Sequence, residues 1–238
     1  MTQNIYCGLA DYPEMAYVLH CTHAEDLFID VGANLGAYTI LACGVKKCKG
    51  YCFEPVPETY DKLVDNLRIN SLLDDDQVKP FCVGVADKPG VMLFSTDKNT
   101  ENSFVAQSNP SRNTIEVEVT SLDTVLHGQS PTIIKVDVEG FETLVINGAR
   151  QILGSGSVHS LIIELYGLGE QYGFDEDALI ATLQGYGYNM VNYLPVERTL
   201  VPIKGKHPRG NVIFCRDLDL INSRLRTAPK ISILSQSI

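Results

Sequence analysis

The chain has 238 residues, 45% hydrophobic and 20% charged, which suits one globular domain with a sizeable core. A formal net charge of −10 and a pI near 4.9 exclude a broad phosphate-binding face and so argue against nucleic acid as a substrate. With no basic-apolar-small signal at the N-terminus and no apolar run of about 18 residues, there is no membrane segment, and the expectation is a soluble cytoplasmic protein.

Residues 1–26 are weakly patterned, with a turn at Asp11–Glu14 and an apolar helix from Met15 to Cys21 that either covers a ligand pocket or packs as a simple N-terminal helix. A strand at Leu27–Val31 then breaks into the turn Gly32-Ala33-Asn34-Leu35-Gly36 and restarts as a helix over about 36–46. An apolar strand that passes through glycine into a helix is the first unit of a nucleotide-binding α/β fold. A second strand, 50–54, ends in Glu54-Pro55, and Pro57 opens a helix to about Asn70 with Tyr60, Leu63, Val64 and Leu67 on one face. A third strand runs from Val78 to Val83, before the turn Asp87-Lys88-Pro89-Gly90.

The alternation is then interrupted by an inserted hairpin over 91–120, with strands at Val91–Ser95 and Thr114–Thr120 joined by a polar loop, 96–113. Within that loop Asn99–Ser103 offers amides and hydroxyls to an acceptor, or is simply a solvated tip. A short helix at 121–127, a strand at 132–137, a helix from Gly140 to Leu153, a strand from Val158 to Leu165 and a helix from Asp175 to about Gly185 follow. Strands at Tyr188–Tyr193 and Gly210–Cys215 form a closing antiparallel hairpin, and the tail, 216–238, shows little periodicity and is expected to fray. Five β-α units ending in such a hairpin predict a largely parallel sheet with helices on both faces.

Seven cysteines, most of them in apolar runs, read as free, buried thiols, and the spacing of Cys43, Cys48 and Cys52 fits no zinc or cluster pattern. The basic groups Lys46, Lys47, Lys49 and Lys204, Lys206, His207, Arg209 read as solvated surface.

In such folds the ligand lies outside the carboxyl ends of the strands. Here these ends are Asp30–Gly36, Glu54–Val56, Cys82–Val85, Asp137–Gly140 and Glu164–Gly167. Asn34 stands where a diphosphate fingerprint needs its second glycine, which disfavours NAD and an NAD-linked oxidoreductase. Glu54 is placed to accept from both hydroxyls of an adenosine ribose, and Asp30 to receive a cationic group beside the glycine turn. Together these describe a positively charged nucleoside, S-adenosylmethionine. The plain alternatives are a helix cap for Asp30 and an exposed strand end for Glu54. The cofactor site is therefore expected at Asp30, Gly32, Ala33, Asn34, Gly36, Glu54, Pro55, Val56, Val83, Gly84 and Asp137.

Four stretches carry a family resemblance: Phe28–Gly36, Phe53-Glu54-Pro55, Val85–Gly90 and Ile134–Glu142. In this order they resemble the FkbM family of S-adenosylmethionine-dependent methyltransferases over roughly residues 26–165. The resemblance implies the class I methyltransferase (Rossmann-like) fold with a seven-stranded, mostly parallel sheet, and O-methylation of hydroxyls on sugars or secondary metabolites. It does not identify the catalytic residues.

An alcohol needs a base or a metal to help remove its proton. Lys135, Asp137 and Glu139 are two apart and project to one side while the strand persists, and Glu164 ends the neighbouring strand. Either Asp137 lies beside the methionine part of the cofactor while Glu139 or Glu164 serves as base or ligand to a divalent metal, or Lys135 neutralises these acids in a structural network. Glu142 falls in the first turn of the following helix. His127 and His159 are weaker base candidates, and Tyr166 and Tyr172 either line an acceptor pocket or pack as a lid. A nucleoside-binding protein without transferase activity is the rival reading.

Overall fold

The computed structural model describes residues 8–95, 114–234 and 236–238. Helix α1 (Tyr12–Cys21) starts on a proline and buries Met15 to Cys21. Strand β1 (Leu27–Val31) leads through the glycine turn into α2 (Ala37–Thr39), which continues as a π-helical turn over Ile40–Val45. Next come β2 (Lys49–Phe53) and α3 (Pro57–Ile69), whose period-four pair Leu63 and Leu67 is fully buried. Strand β3 (Val78–Phe81) precedes the short β4 (Gly84–Val85), then β5 (Gly90–Ser95) and β6 (Thr114–Thr120). The chain continues with α4 (Leu122–Val125), β7 (Ile133–Val136), α5 (Glu142–Asn147) and α6 (Arg150–Ser155). Strand β8 (Ser160–Leu165) and a 3-10 turn (Leu168–Tyr172) lead to α7 (Glu176–Gly185), capped by Asp175, which accepts from the N–H groups of Asp177 and Ala178. Strands β9 (Asn189–Leu194), β10 (Thr199–Pro202) and β11 (Gly210–Cys215) precede α8 (Leu218–Thr227).

Eight strands form the main sheet in the order β10-β9-β11-β8-β7-β1-β2-β3. From β3 to β8 neighbours are parallel, whereas β11 is antiparallel to both β8 and β9. The class of sheet is the expected one, with an eighth strand, β10, added antiparallel to the outer edge of β9. Sequence pattern concealed β10 because it is only four residues long and ends in Pro202, within a connection rich in turn formers. Helices cover both faces, with Tyr17, Leu67 and Ile221 in one core and Val145, Leu153 and Leu183 in the other. Strand order reverses beside β1, which has β2 on one side and β7 on the other, so a crevice opens at the carboxyl ends of these strands.

The inserted hairpin forms as β5 and β6, which pair in a separate three-stranded sheet with β4. The 96–113 loop, including Asn99–Ser103, lies outside the described residues. Two local expectations change, and for α1 the packing alternative is the one observed. The helix expected over Gly140–Leu153 divides into α5 and α6 at Gly148, which packs directly against the Ala86 carbonyl. The tail does not fray: Asp217 caps α8 by accepting from the Leu220 N–H, and Ile221 and Leu225 are buried. Arg224 donates to Asp26 at 2.6 Å and ties α8 to the start of β1. Finally, α1 packs into the core, and none of its residues lines the crevice.

The six described cysteines are free thiols, five of them buried. No helix among the described residues is long and apolar enough to cross a membrane.

Candidate functional site

The crevice is a cleft with about 750 Å³ of open space. Its lining comes from the ends of β1, β2, β7 and β8, from Val83, Gly84 and Val85, and from Phe94 on the inserted hairpin. Depth along each strand decides who reaches it. Val31 lines the cleft, whereas Asp30, one residue earlier, does not. Asp30 is 2% exposed, and its Oδ2 accepts from the Thr39 N–H at 3.0 Å and the Thr39 hydroxyl at 2.6 Å. Burial raises its carboxyl, against those bonds and the nearby Lys135 ammonium. Asp30 therefore pins the start of α2 and is not positioned to receive a cationic group of a ligand in the cleft.

The glycine turn keeps its amides for the protein. Gly32 and Ala33 donate to the Phe53 carbonyl, Gly36 donates to Ala33, and Asn34 donates to Glu54 Oε2 at 3.1 Å. A pyrophosphate would need such N–H groups pointing at it. Gly32 has φ +79°, and a Cβ there would sit 1.8 Å from the Asp137 carbonyl oxygen, so only glycine lets the two loops touch. Gly32→Ala should cost at least about 3 kcal/mol through overpacking and left-handed strain together. A thermal melt indistinguishable from that of the parent chain would contradict the contact.

Glu54 lies at one end of the cleft, 7% exposed, and its Oε1 accepts from the Val56 N–H at 3.0 Å. Burial pushes its carboxyl up to about 7, against the two backbone donors. Each carboxylate oxygen retains a further lone pair, so two hydroxyls can still be accepted. Asn34, Pro55, Val56, Val83 and Gly84 line the cleft as expected, whereas Ala33 and Gly36 shape the turn from behind it.

At the other end stand Asp137, Glu139 and Glu164, with one carboxylate oxygen of each lying within 4.8 Å of the others. Beneath them Lys135, 1% exposed, donates to Asp137 Oδ2 at 2.9 Å and lies 5.1 Å from the centre of the Tyr38 ring. Burial alone would raise Asp137, but the Lys135 ammonium and a hydrogen bond from Glu164 outweigh it and hold that carboxyl below the ordinary range. Burial, together with the Asp137 charge and that same bond, pushes Glu164 up to about 9. These influences favour the ionised form of Asp137 and the protonated form of Glu164, with the Lys135 ammonium set against Asp137.

Strand β7 ends at Val136, so period two alone does not align the three acids. Glu139 is brought round by a left-handed turn, with φ +53°. Glu142 fixes that turn by accepting from the Val138 and Gly140 N–H groups at 3.3 and 3.1 Å. Sequence reasoning read Glu142 only as a helix-dipole acid; its spacing of two from Gly140 was the available signal. Val85 and Val138, within the strand ends named from sequence, also line the cleft, as do Thr59 and Phe94, which sequence does not single out. His127 is exposed, and His159 sits at the amino end of β8, on a different end of the sheet from the cleft. Tyr166 is 48% exposed beyond β8, and Tyr172 packs on Phe141 at 4.4 Å between ring centres. Neither tyrosine is in the cleft lining.

A mostly parallel sheet with an antiparallel end, and a cleft at its strand reversal, is the class I methyltransferase architecture. Residues 30–190 match the methyltransferase FkbM domain, and the chain belongs to that family. It is similar to the hexuronic acid methyltransferase AglP of Haloferax volcanii, with 30% identity over 144 residues, 60% of this chain and 56% of that protein. The chain thus spans about half the length of this curated relative. The crystal structure of methyltransferase FkbM from Methylobacillus flagellatus superposes with a TM-score of 0.58 at 16% identity, over 90% of this chain and 52% of that one. An rRNA methylase from Streptococcus thermophilus gives 0.50 at 14% identity, over 87% and 98% of the two chains.

Proposed function

We propose that the protein is an S-adenosylmethionine-dependent O-methyltransferase acting on a hydroxylated small molecule, with a sugar or glycan as the acceptor class. The observation that carries this reading is one cleft with a buried ribose-type acid, Glu54, at one end and Asp137, Glu139 and Glu164 at the other. Between them the turn amides are spent internally, which suits a nucleoside and not a dinucleotide. The relative named for hexuronic acid methylation supports a sugar acceptor.

When bound, S-adenosylmethionine supplies a methyl group already electrophilic on its sulfonium. The chain's residues then have to hold donor and acceptor in line, exclude water and take one proton. Glu54 holds the ribose hydroxyls, Asn34, Pro55, Val56, Val83 and Gly84 line the nucleoside end, and Gly32 and Asp137 line the reacting end. Lys135 holds Asp137, burial and the Asp137 charge favour the protonated form of Glu164, and Glu139, which lines the cleft, is the carboxylate assigned to receive the acceptor's hydroxyl proton.

Calorimetry tests the donor half. S-adenosylhomocysteine should bind, and Glu54→Ala should weaken it at least about tenfold, a loss near 1.4 kcal/mol. An unchanged affinity would remove Glu54 from the donor site. Because Glu54 titrates near 7 and its ionised form accepts better, affinity should rise between pH 6 and 8 and flatten in Glu54→Gln. The effect on the fold has the opposite sign. A carboxyl raised from about 4.5 to about 7 favours the folded state below its unfolded value, and that contribution is lost as pH rises through 7.

The mutual approach of the three carboxylates within 4.8 Å also supports a second reading, a divalent cation that binds the acceptor oxygen. Activity abolished by a chelator and restored by magnesium or manganese would establish it; methyl transfer indifferent to both would leave the proton acceptor. Retained donor binding without methyl transfer across a broad acceptor panel would instead favour a nucleoside-binding protein.

A further inference from the structure

The connection between β10 and β11 is a basic stretch that ends beside the cleft. Residues 203–209, Ile-Lys-Gly-Lys-His-Pro-Arg, contain three of the chain's 19 Lys and Arg and no acid, in a protein of net charge −10. From sequence this stretch reads as solvated surface. Topology places its second half elsewhere.

Gly210 pairs with Leu165 and Asn211 with Glu164, so Arg209 stands about 7 Å along the strand from the partner of a cleft acid. His207 Nε2 lies 3.3 Å from Glu176 Oε2, with both side chains largely buried, and Glu176 Oε1 accepts from the Gly167 N–H at 2.6 Å. Gly167 precedes Leu168, whose carbonyl lies 2.9 Å from the position a Cβ on Gly140 would take, and Gly140 follows Glu139. The loop is therefore anchored step by step to the acidic end of the cleft. Tyr166, half exposed, sits beside it, its hydroxyl 3.6 Å from where a side chain on Gly210 would begin. Lys206 and Arg209 are exposed, and among the described residues neither pairs with a carboxylate.

The cleft lining itself includes Glu54, Asp137, Glu139 and Glu164 and no Lys or Arg among the described residues. An anion is repelled from that floor and meets, at this rim, cations that pair with no carboxylate among the described residues. We propose that Lys206 and Arg209 form the anion-recognising part of the acceptor site, so that the acceptor is a hydroxylated molecule bearing a carboxylate or phosphate. The anion faces the rim, a sugar ring can lie on Tyr166, and a hydroxyl on the far side is presented to Glu139. This specificity rests on the methyltransferase reading above.

The test titrates the S-adenosylhomocysteine-loaded protein with glucuronate, glucose 1-phosphate and glucose, following amide shifts and affinity. One or both charged sugars should bind at least about tenfold tighter than glucose, shifting the amides of 165–167 and of Lys206, His207, Arg209 and Gly210. Which charged sugar is preferred distinguishes carboxylate from phosphate. The double variant Lys206→Ala/Arg209→Ala should erase the preference without altering S-adenosylhomocysteine binding. Lys204→Ala should keep the preference, since Lys204 follows Ile203, whose N–H bonds Met190 near the amino end of β9. Equal affinity for all three sugars, no binding by any of them at millimolar concentration, or a preference that survives the double variant would overturn the proposal. Failure to bind S-adenosylhomocysteine would instead strike the donor reading, and the sugar titration would then be read on the unloaded chain.

Discussion

Glu139→Gln is expected to lower kcat by about 10²–10⁴-fold, the usual contribution of a positioned base. Donor affinity should stay within about twofold, because a group used only as the methyl moves does not stabilise the ground state. Glu164→Gln provides the contrast. Burial and the Asp137 charge favour the protonated, donating form of Glu164, and a glutamine amide can replace that donor. Its kcat should fall by less than about tenfold. The reverse ranking would make Glu164 the base. Equal losses accompanied by sensitivity to chelators would assign all three acids to a cation. Single-turnover methyl transfer with labelled donor separates these outcomes from product release.

The second large effect is on stability. Lys135 is buried, and the surrounding acids Asp137, Asp30 and Glu164 raise its ammonium despite the opposing cost of burial. Lys135→Met keeps the stem packed on Tyr38 but leaves Asp137 ionised with no counter-charge. Removing one partner of a fully buried pair costs about 3–5 kcal/mol. Because the Asp137 side chain is 35% exposed to the cleft, water screens the stranded charge and the loss here should be about half that. Lys135→Met/Asp137→Asn should recover much of that loss, because the stranded charge is gone. Urea unfolding of the two variants measures the difference. If the single variant is as stable as the parent chain, the pair is not buried in solution.

Much of this arrangement was legible in the sequence. The passage from Leu27 to Thr39 states its own strand, turn and helix, and Glu54 and Asp137 fall at strand ends wherever the strand boundaries are drawn. The misplacement of Asp30 follows from depth. Asp30 lies one residue inside the strand end, where the start of α2 covers it, and only the position of Thr39 reveals that its carboxylate is engaged there. The convergence of Glu139 with Asp137 was expected from period two, yet it arises from a left-handed turn held by Glu142 after the strand has ended. The Lys206–Arg209 segment illustrates the limit of local reading. Its composition is that of any solvated turn, and its place beside Glu164 depends on an antiparallel register made with a strand about fifty residues earlier.

The backbone contact between Gly32 and Asp137 bears on how this scaffold could be re-engineered. Residues 30–36 and 135–142 fit against each other without space for a single methyl group, and so form one transplantable unit. A graft that moves either segment alone into a related sheet would collide at that carbonyl. The β10–β11 connection has no such constraint on Lys206 and Arg209, whose side chains are exposed. New acceptor preferences should therefore be sought by varying that connection, with the paired loops kept together.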